Sequence, residues 1–390
     1  MGALDGYKIL DFSTLLPGPY ATMTLADMGA EVLKVSSKDK WDLVVNWPPV
    51  IEGAEVTGAQ GWLGRNKKTI YLNMKKEKSV EAVKKLVQEY DIVVEQFRPG
   101  VMDKLGIGYE ALKAVNPKII YCAITGYGQT GCFSKKAGHD INYISRAGIP
   151  QAAGRKVGGP SLYNFQIADV AGGSMNAVAS ICAAIIYREK TGKGQFIDVS
   201  MQDSVIPFNS MDGASYFAGG PLPTRESGSL NGGGIYDFYE CKDGKFMSVG
   251  SLEPKFFAGL CNLMGHPEWE DGKILKTDTD LVKKTFKETF LTKTRDEWTA
   301  LAEPYDACIE PVLDLSEVAA DEHLNQRGMF PEVDVPVSNG VKVKQLGCPF
   351  KLSECPPEYK HAGFPEGYHT NEILGALGYS EEDIKDMVEK

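Results

Sequence analysis

The run Gly138-His139-Asp140-Ile141-Asn142-Tyr143 sets an imidazole beside a carboxylate and a carboxamide. An imidazole titrates near neutrality, so modest changes around it decide whether it takes or gives a proton. That makes His139 a candidate general base; the same residue types also suit a hydrogen-bonded structural histidine. Ala168-Asp169-Val170-Ala171-Gly172-Gly173-Ser174 places a second carboxylate among small residues where an apolar helical run begins. As a helix N-cap, Asp169 would contribute about 1 kcal/mol. As a reactive group it would serve as acid, base or nucleophile, with nearby helix-end amides donating to a developing oxyanion. The small residues would let a ligand approach the backbone. Glu253, in Ser251-Leu252-Glu253-Pro254, fits either the favourable first turn of a helix or a cleft in which it orients an imidazole. Arg98 follows a strand-forming run ending at Phe97 and suits a phosphate or an adenine face. Lys67 and Lys68, within Arg65-Asn66-Lys67-Lys68, read individually as a solvated loop.

The elements that must carry these groups alternate. Short β-rich runs fall at 7–12, 31–35, 69–73, 91–97, 119–124 and 195–200, and helical patterns at 20–28, 80–89, 109–115 and 170–188. Pro17-Gly18-Pro19 stops the first strand, and Gly29 ends the helix that follows. Strands alternating with helices predict a parallel α/β sheet whose ligands sit beside the carboxyl ends of its strands. Past residue 205 the character changes. Residues 213–234 are rich in Gly, Pro and Ser, a hairpin pattern runs from Tyr236 to Val249 across Lys242-Asp243-Gly244, and helices follow near 254–265, 278–290 and 294–303. The expected organisation is a large Rossmann-like domain begun by 1–205, a smaller α+β domain over 206–330, and a return segment, 331–390, that completes the large domain.

A 390-residue chain with 43% hydrophobic and 24% charged residues is an ordinary globular composition with room for two domains. A net charge of −10 leaves no basic excess for phosphates of nucleic acid. Eight cysteines form no CxxC pair and five histidines show no zinc-like spacing, which predicts free thiols and no metal site. The N-terminus lacks the pattern of a signal peptide, and no stretch reads as membrane-spanning, so a cytoplasmic protein with no membrane partner is expected. The GxGxxG fingerprint is absent, which speaks against a nicotinamide dehydrogenase. Met211 and Tyr216 suit the wall of an apolar ligand pocket, with core packing as the simpler expectation.

Together these segments resemble the alpha-methylacyl-CoA racemase family, part of the class III CoA-transferase (CaiB/BaiF) superfamily that includes formyl-CoA transferase and carnitine CoA-transferases. The resemblance runs through Pro17-Gly18-Pro19 to Leu25-Ala26-Asp27-Met28-Gly29-Ala30, Gly64-Arg65-Asn66-Lys67, and Phe97-Arg98-Pro99-Gly100-Val101-Met102. It continues through Leu105-Gly106-Ile107-Gly108, Gly126-Tyr127-Gly128-Gln129-Thr130-Gly131, Thr191-Gly192-Lys193-Gly194-Gln195 and His369-Thr370. Two segments are narrower: the His139 run looks like the racemase segment with the catalytic histidine, and Glu253-Pro254 like the one whose glutamate pairs with it. Asp169 matches a carboxylate used in both branches.

The resemblance implies a Rossmann-like large domain, a smaller domain and an interlocked homodimer, with the active site between one subunit's large domain and its partner's small domain. It implies an acyl-CoA thioester substrate, its nucleotide near Arg98 and Tyr71-Leu72-Asn73-Met74, with Lys38 and Lys40 beside Ser37. The implied reaction interconverts 2-methylacyl-CoA stereoisomers by 1,1-proton transfer at the α-carbon. His139 and Asp169 are the acid–base pair, Glu253 steers the imidazole, and backbone amides near Asp169 hold the enolate. No cofactor is called for, coenzyme A being part of the substrate. The alternative is CoA transfer between carboxylic acids through an acyl anhydride on Asp169.

Overall fold

The structure, a computed structural model, describes residues 1–389 and divides into two compact units. The first comprises Met1–Ala147, Phe165–Pro207 and the chain from Glu322 onward. Its centre is a six-stranded sheet: β1 (Lys8–Asp11), β2 (Glu31–Ser36), β3 (Lys67–Tyr71), β4 (Ile92–Glu95), β5 (Ile120–Thr125) and β6 (Gln195–Ser200), in the order β3-β2-β1-β4-β5-β6. Every pairing is parallel. Strands β4 and β5 are buried at each position, as central parallel strands covered on both faces must be, while the edge strand β6 alternates. The helix Glu77–Leu86 buries Ser79, Ala82, Val83 and Leu86, one stripe of a 3.6-residue period. That stripe joins Leu10, Leu33, Ile70, Val93 and Tyr121 in the main core.

Strand order reverses between β1 and β4, so the loops leaving these two strands diverge and open a crevice at their carboxyl ends. The helix Pro17–Asp27 follows β1 after the loop 12–16 and begins earlier than the expected 20–28, because proline at the first helical positions sacrifices no needed N–H.

Three expectations are corrected here. Lys67 is not a solvated loop residue. It is buried in β3, with Nζ 3.4 Å from Asp11 Oδ2, 2.8 Å from Pro19 O and 2.7 Å from Thr22 Oγ1. Burial would raise Asp11, but Lys34, Lys67 and the Ser13 and Thr22 hydroxyls hold it at about 2. Arg65 is likewise fully buried and clasps Asp27 through Nε and Nη2 at 2.9 and 2.6 Å, whereas Lys68 is exposed near Glu372. Second, the helical run Ala168–Thr191 is long and apolar enough to cross a membrane by length and composition. It packs on β5, β6 and the helix Pro17–Asp27, with 44% of its most apolar stretch buried. Third, Met211 and Tyr216 are exposed, not core residues.

The second unit comprises Gly148–Asn164 and Phe208–Asp321. It holds an antiparallel sheet of β7 (Asp237–Glu240), β8 (Phe246–Val249) and β9 (Ile309–Pro311) in that order. The helices Pro254–Met264, Thr279–Phe290 and Arg295–Ala302 supply Phe257, Leu260, Phe286, Phe290 and Trp298 to its own core. Gly148–Asn164 lies with this unit although the chain reading gave it to 1–205. The tie is Arg155, paired with Asp237 at 2.6 Å and Glu226 at 3.0 Å. In the first unit, β10 (Glu332–Asp334) and β11 (Lys342–Lys344) form a short antiparallel pair.

Candidate active site

The crevice at the strand reversal holds a cleft of about 480 Å³. Leu15 and Pro17 line it from the β1 loop, Gln96 to Pro99 from the β4 loop, and Ile124 to Gly126 from the end of β5. Lys136, His139, Asn142, Tyr143, Asp169 and Met201 also line it. His139 and Asp169, separated by thirty residues of chain, therefore border the same space.

His139 is the N-cap residue of the helix Asp140–Arg146, and its backbone N–H donates to Asn142 Oδ1 at 3.0 Å. Tyr143, one turn along, is buried and donates its hydroxyl to Gly138 O at 2.5 Å. Its ring lies so close to Gly126 and Gly138 that a Cβ on either would come within 2.4 and 2.6 Å of it. Side chains larger than hydrogen are excluded there, so the ring pins the loop that ends at His139. The imidazole itself is exposed to the cleft.

Asp169 stands in a π-helical turn, Ala168–Ser174, that runs into the helix Met175–Thr191. π-Turns of this kind recur at functional sites. The N-cap reading of Asp169 is overturned: the capping carboxylate is Asp140, whose Oδ1 accepts the N–H of Ala168 at 2.6 Å and of Asp169 at 3.1 Å. Val170 N–H is bonded to Gln166 O. The amides proposed as enolate donors are thus already engaged. Nor do the glycines open the backbone to a ligand. A Cβ on Gly172 would meet Val205 at 2.9 Å, and one on Gly173 would meet Met201 and Pro17 at 3.0 and 3.1 Å. Their smallness serves helix packing.

Burial pushes the Asp169 carboxyl up to about 7, and the Asp140 carboxylate adds to the rise. Asp140 is itself raised by burial, against the pull of the two amides it accepts. A carboxyl group balanced near neutrality exchanges protons in either direction at little cost, the property required of an acid–base catalyst.

A second cavity, about 240 Å³, adjoins the carboxyl ends of β1, β2 and β3. Leu72, Asn73 and Met74 line it, as do Lys34, Lys40 and Lys75. Tyr71 and Lys38 are not on its wall: the Tyr71 ring packs on Gly367, and Lys38 is exposed. Asn73 is fixed by bonds to Glu389 O and Lys75 N–H. Arg98 borders the first cleft instead, and Phe97 borders both. Lys40 Nζ lies 5.1 Å from the Phe97 ring centroid, within cation–π range.

Glu253 belongs to the second unit, as N-cap residue of the helix Pro254–Met264. Its side chain makes no capping bond and is exposed, so the carboxylate is not spent on the helix. Two features were missed at the level of sequence. The role of Asp140 depends on a neighbour twenty-eight residues away, which no local pattern signals. Lys34 and Lys75 carried a weak signal, as lysines at or just past strand ends.

Residues 4–370 match the family described as CoA-transferase family III. The chain is 33% identical to human alpha-methylacyl-CoA racemase over 386 residues, covering 98% of this chain and 95% of that protein. It is also 33% identical to human succinyl-CoA:glutarate CoA-transferase, covering 99% and 88%. A CAIB/BAIF family protein from Brucella suis, 28% identical, superposes with a TM-score of 0.82 over 96% of this chain and 99% of its own. A family match across nearly the whole sequence, together with this parallel sheet, establishes that the chain belongs to CoA-transferase family III.

Proposed function

We propose that the chain is an acyl-CoA racemase or epimerase that interconverts 2-methylacyl-CoA stereoisomers by 1,1-proton transfer at the α-carbon. The observation that carries this reading is the pair His139 and Asp169 on one cleft, with Asp169 held near pH 7. Inverting the α-carbon needs one group to remove a proton from a face and another to deliver one to the opposite face, with roles that swap with direction. Each such group supplies roughly 10²–10⁴-fold. A thioester α-carbon needs enolate stabilisation besides. With the amides of residues 168–170 engaged, the cations on the cleft wall, Arg98 and Lys136, take that part. The second cavity, with Lys34, Lys40 and Lys75, receives the nucleotide end of CoA. Glu253 steers the imidazole.

The working form is an interlocked homodimer. In support, Ile186 and Tyr187 on the long helix and Met211, Tyr216 and Phe217 on Ser210–Phe217 expose large apolar surface, Phe217 at 88%. Light scattering reporting a monomer would remove this part of the proposal.

CoA transfer is the second reading, favoured by equal identity to a CoA-transferase. It requires Asp169 as a carboxylate nucleophile, which a carboxyl raised to about 7 is only in part at neutral pH. Incubation with isobutyryl-CoA in deuterated water separates the two. The racemase reading expects α-deuterium without any added acid. CoA movement that requires an acceptor carboxylate, with the α-hydrogen retained, would replace it.

A further inference from the structure

Glu95 ends β4 and is 5% exposed, an unusual place for a carboxylate that the proposed chemistry does not use. Its Oε2 accepts the N–H of Phe97 at 2.6 Å, closing a tight turn over residues 95–97. The next side chain, Gln96, accepts the N–H of Gly18 at 2.9 Å, so the turn is held at two points. Phe97 borders both the reaction cleft and the second cavity, its ring carries Lys40, and Arg98 follows it onto the cleft wall. One buried acceptor therefore orients the partition between the two spaces and the cations on either side.

We propose that Glu95 is a positioning residue for the acyl-CoA substrate: its buried carboxyl fixes the turn that carries Arg98 and the Phe97 partition, against whose ring Lys40 rests. This rests on the acyl-CoA reading above. Burial pushes the carboxyl up to about 8, against the Phe97 N–H and with Asp103 adding to the rise. The side chain is thus neutral at pH 7. Asp103, Tyr121 and Cys122 interact with it electrostatically, whereas Asp11, Lys34 and Lys67 alternate to the other face of the sheet. The groups that face it are an acid, a phenol and a thiol, so an ionised Glu95 must draw in water or move its turn.

The test uses the full chain, Glu95→Leu and Glu95→Gln, with isobutyryl-CoA binding followed by calorimetry and α-deuterium exchange. Leucine removes the acceptor; glutamine keeps it and cannot ionise. E95L should raise KM and Kd about tenfold with a smaller loss in kcat, and E95Q should restore both. Between pH 7 and 9 the wild-type Kd should weaken by about tenfold as the competent fraction falls, while that of E95Q stays level. Unchanged Kd in folded E95L overturns the proposal, as does an E95Q that weakens in parallel with wild type. If E95L does not fold, the pH comparison decides alone. A wild-type protein that binds no isobutyryl-CoA sinks the acyl-CoA reading and this role with it, whereas wild-type binding with indifferent variants sinks only the role.

Discussion

Replacing Asp140 by asparagine isolates what holds Asp169 near neutrality. The amide oxygen keeps an acceptor for the Ala168 and Asp169 N–H groups, so the π-turn retains its cap while one negative charge disappears. Asp140 Oδ1 lies 3.1 Å from the Asp169 nitrogen. That sets the two carboxylates roughly 6 Å apart, since a side chain reaches about 2.5 Å from its own Cα. Between a dielectric of about 20 for protein sites and about 80 for water, two unit charges at that separation repel by about 0.7–2.8 kcal/mol, and the middle of that range, about 1.4 kcal/mol, is about one pH unit. Burial remains the larger cause of the raised carboxyl and is untouched. The acid limb of kcat/KM for α-deuterium exchange should therefore move about one unit lower in D140N. One unit below the wild-type limb, the variant would be the faster enzyme by roughly fivefold, after scaling each profile to its maximum. The assay is isobutyryl-CoA exchange in deuterated buffers from acid to mildly alkaline pH, with D140A as the variant that also loses the cap. An acid limb that stays in place, or moves upward, would refute the electrostatic link between the two carboxyls.

Other outcomes follow from the same geometry. His139→Ala should cut α-exchange by roughly 10²–10⁴-fold while binding of isobutyryl-CoA persists, measured by exchange rate and calorimetry. Arg65→Met leaves the buried Asp27 carboxylate without its guanidinium, held by the Asn66 amide, and removes the bonds to Gln345 and Leu346 O. It should cost about 3–5 kcal/mol in urea unfolding. Glu95 is protonated more readily in the folded chain than in the unfolded one. Its contribution to stability is therefore full below the ordinary glutamate range and is lost as pH rises to about 8; E95Q should flatten this slope in urea midpoints taken at acid and alkaline pH.

The sheet was legible because central parallel strands write themselves as short unbroken apolar runs, as at 119–124, and the edge strand 195–200 as an alternating one. Their ends shifted by a residue or two, as at β3, where Lys67 and Lys68 begin the strand instead of a loop. Lys67 looked solvated because its partner Asp11 lies two strands away in the sheet, and charge compensation across strands leaves no local mark. Arg65 with Asp27 was hidden for the same reason. At the site, His139, Asp169, Arg98 and the 72–74 segment were visible as residue types at strand and helix ends, and the structure sets them on two adjoining cavities. The cap by Asp140 and the consumption of the amides near Asp169 arise from packing between distant helices. Helical periodicity also cannot separate a π-turn from the α-helix it continues into, so Asp169 looked like the N-cap of an α-helix instead of a residue inside the π-turn.

The sharpest measurement starts from a single stereoisomer of 2-methylbutanoyl-CoA in deuterated water and follows label and configuration together. Two groups working on opposite faces should give inverted product that carries α-deuterium from the earliest turnovers, ahead of label in the recovered starting isomer. Deuterium entering first with configuration retained would mean one base on one face, and would contradict the pairing of His139 with Asp169.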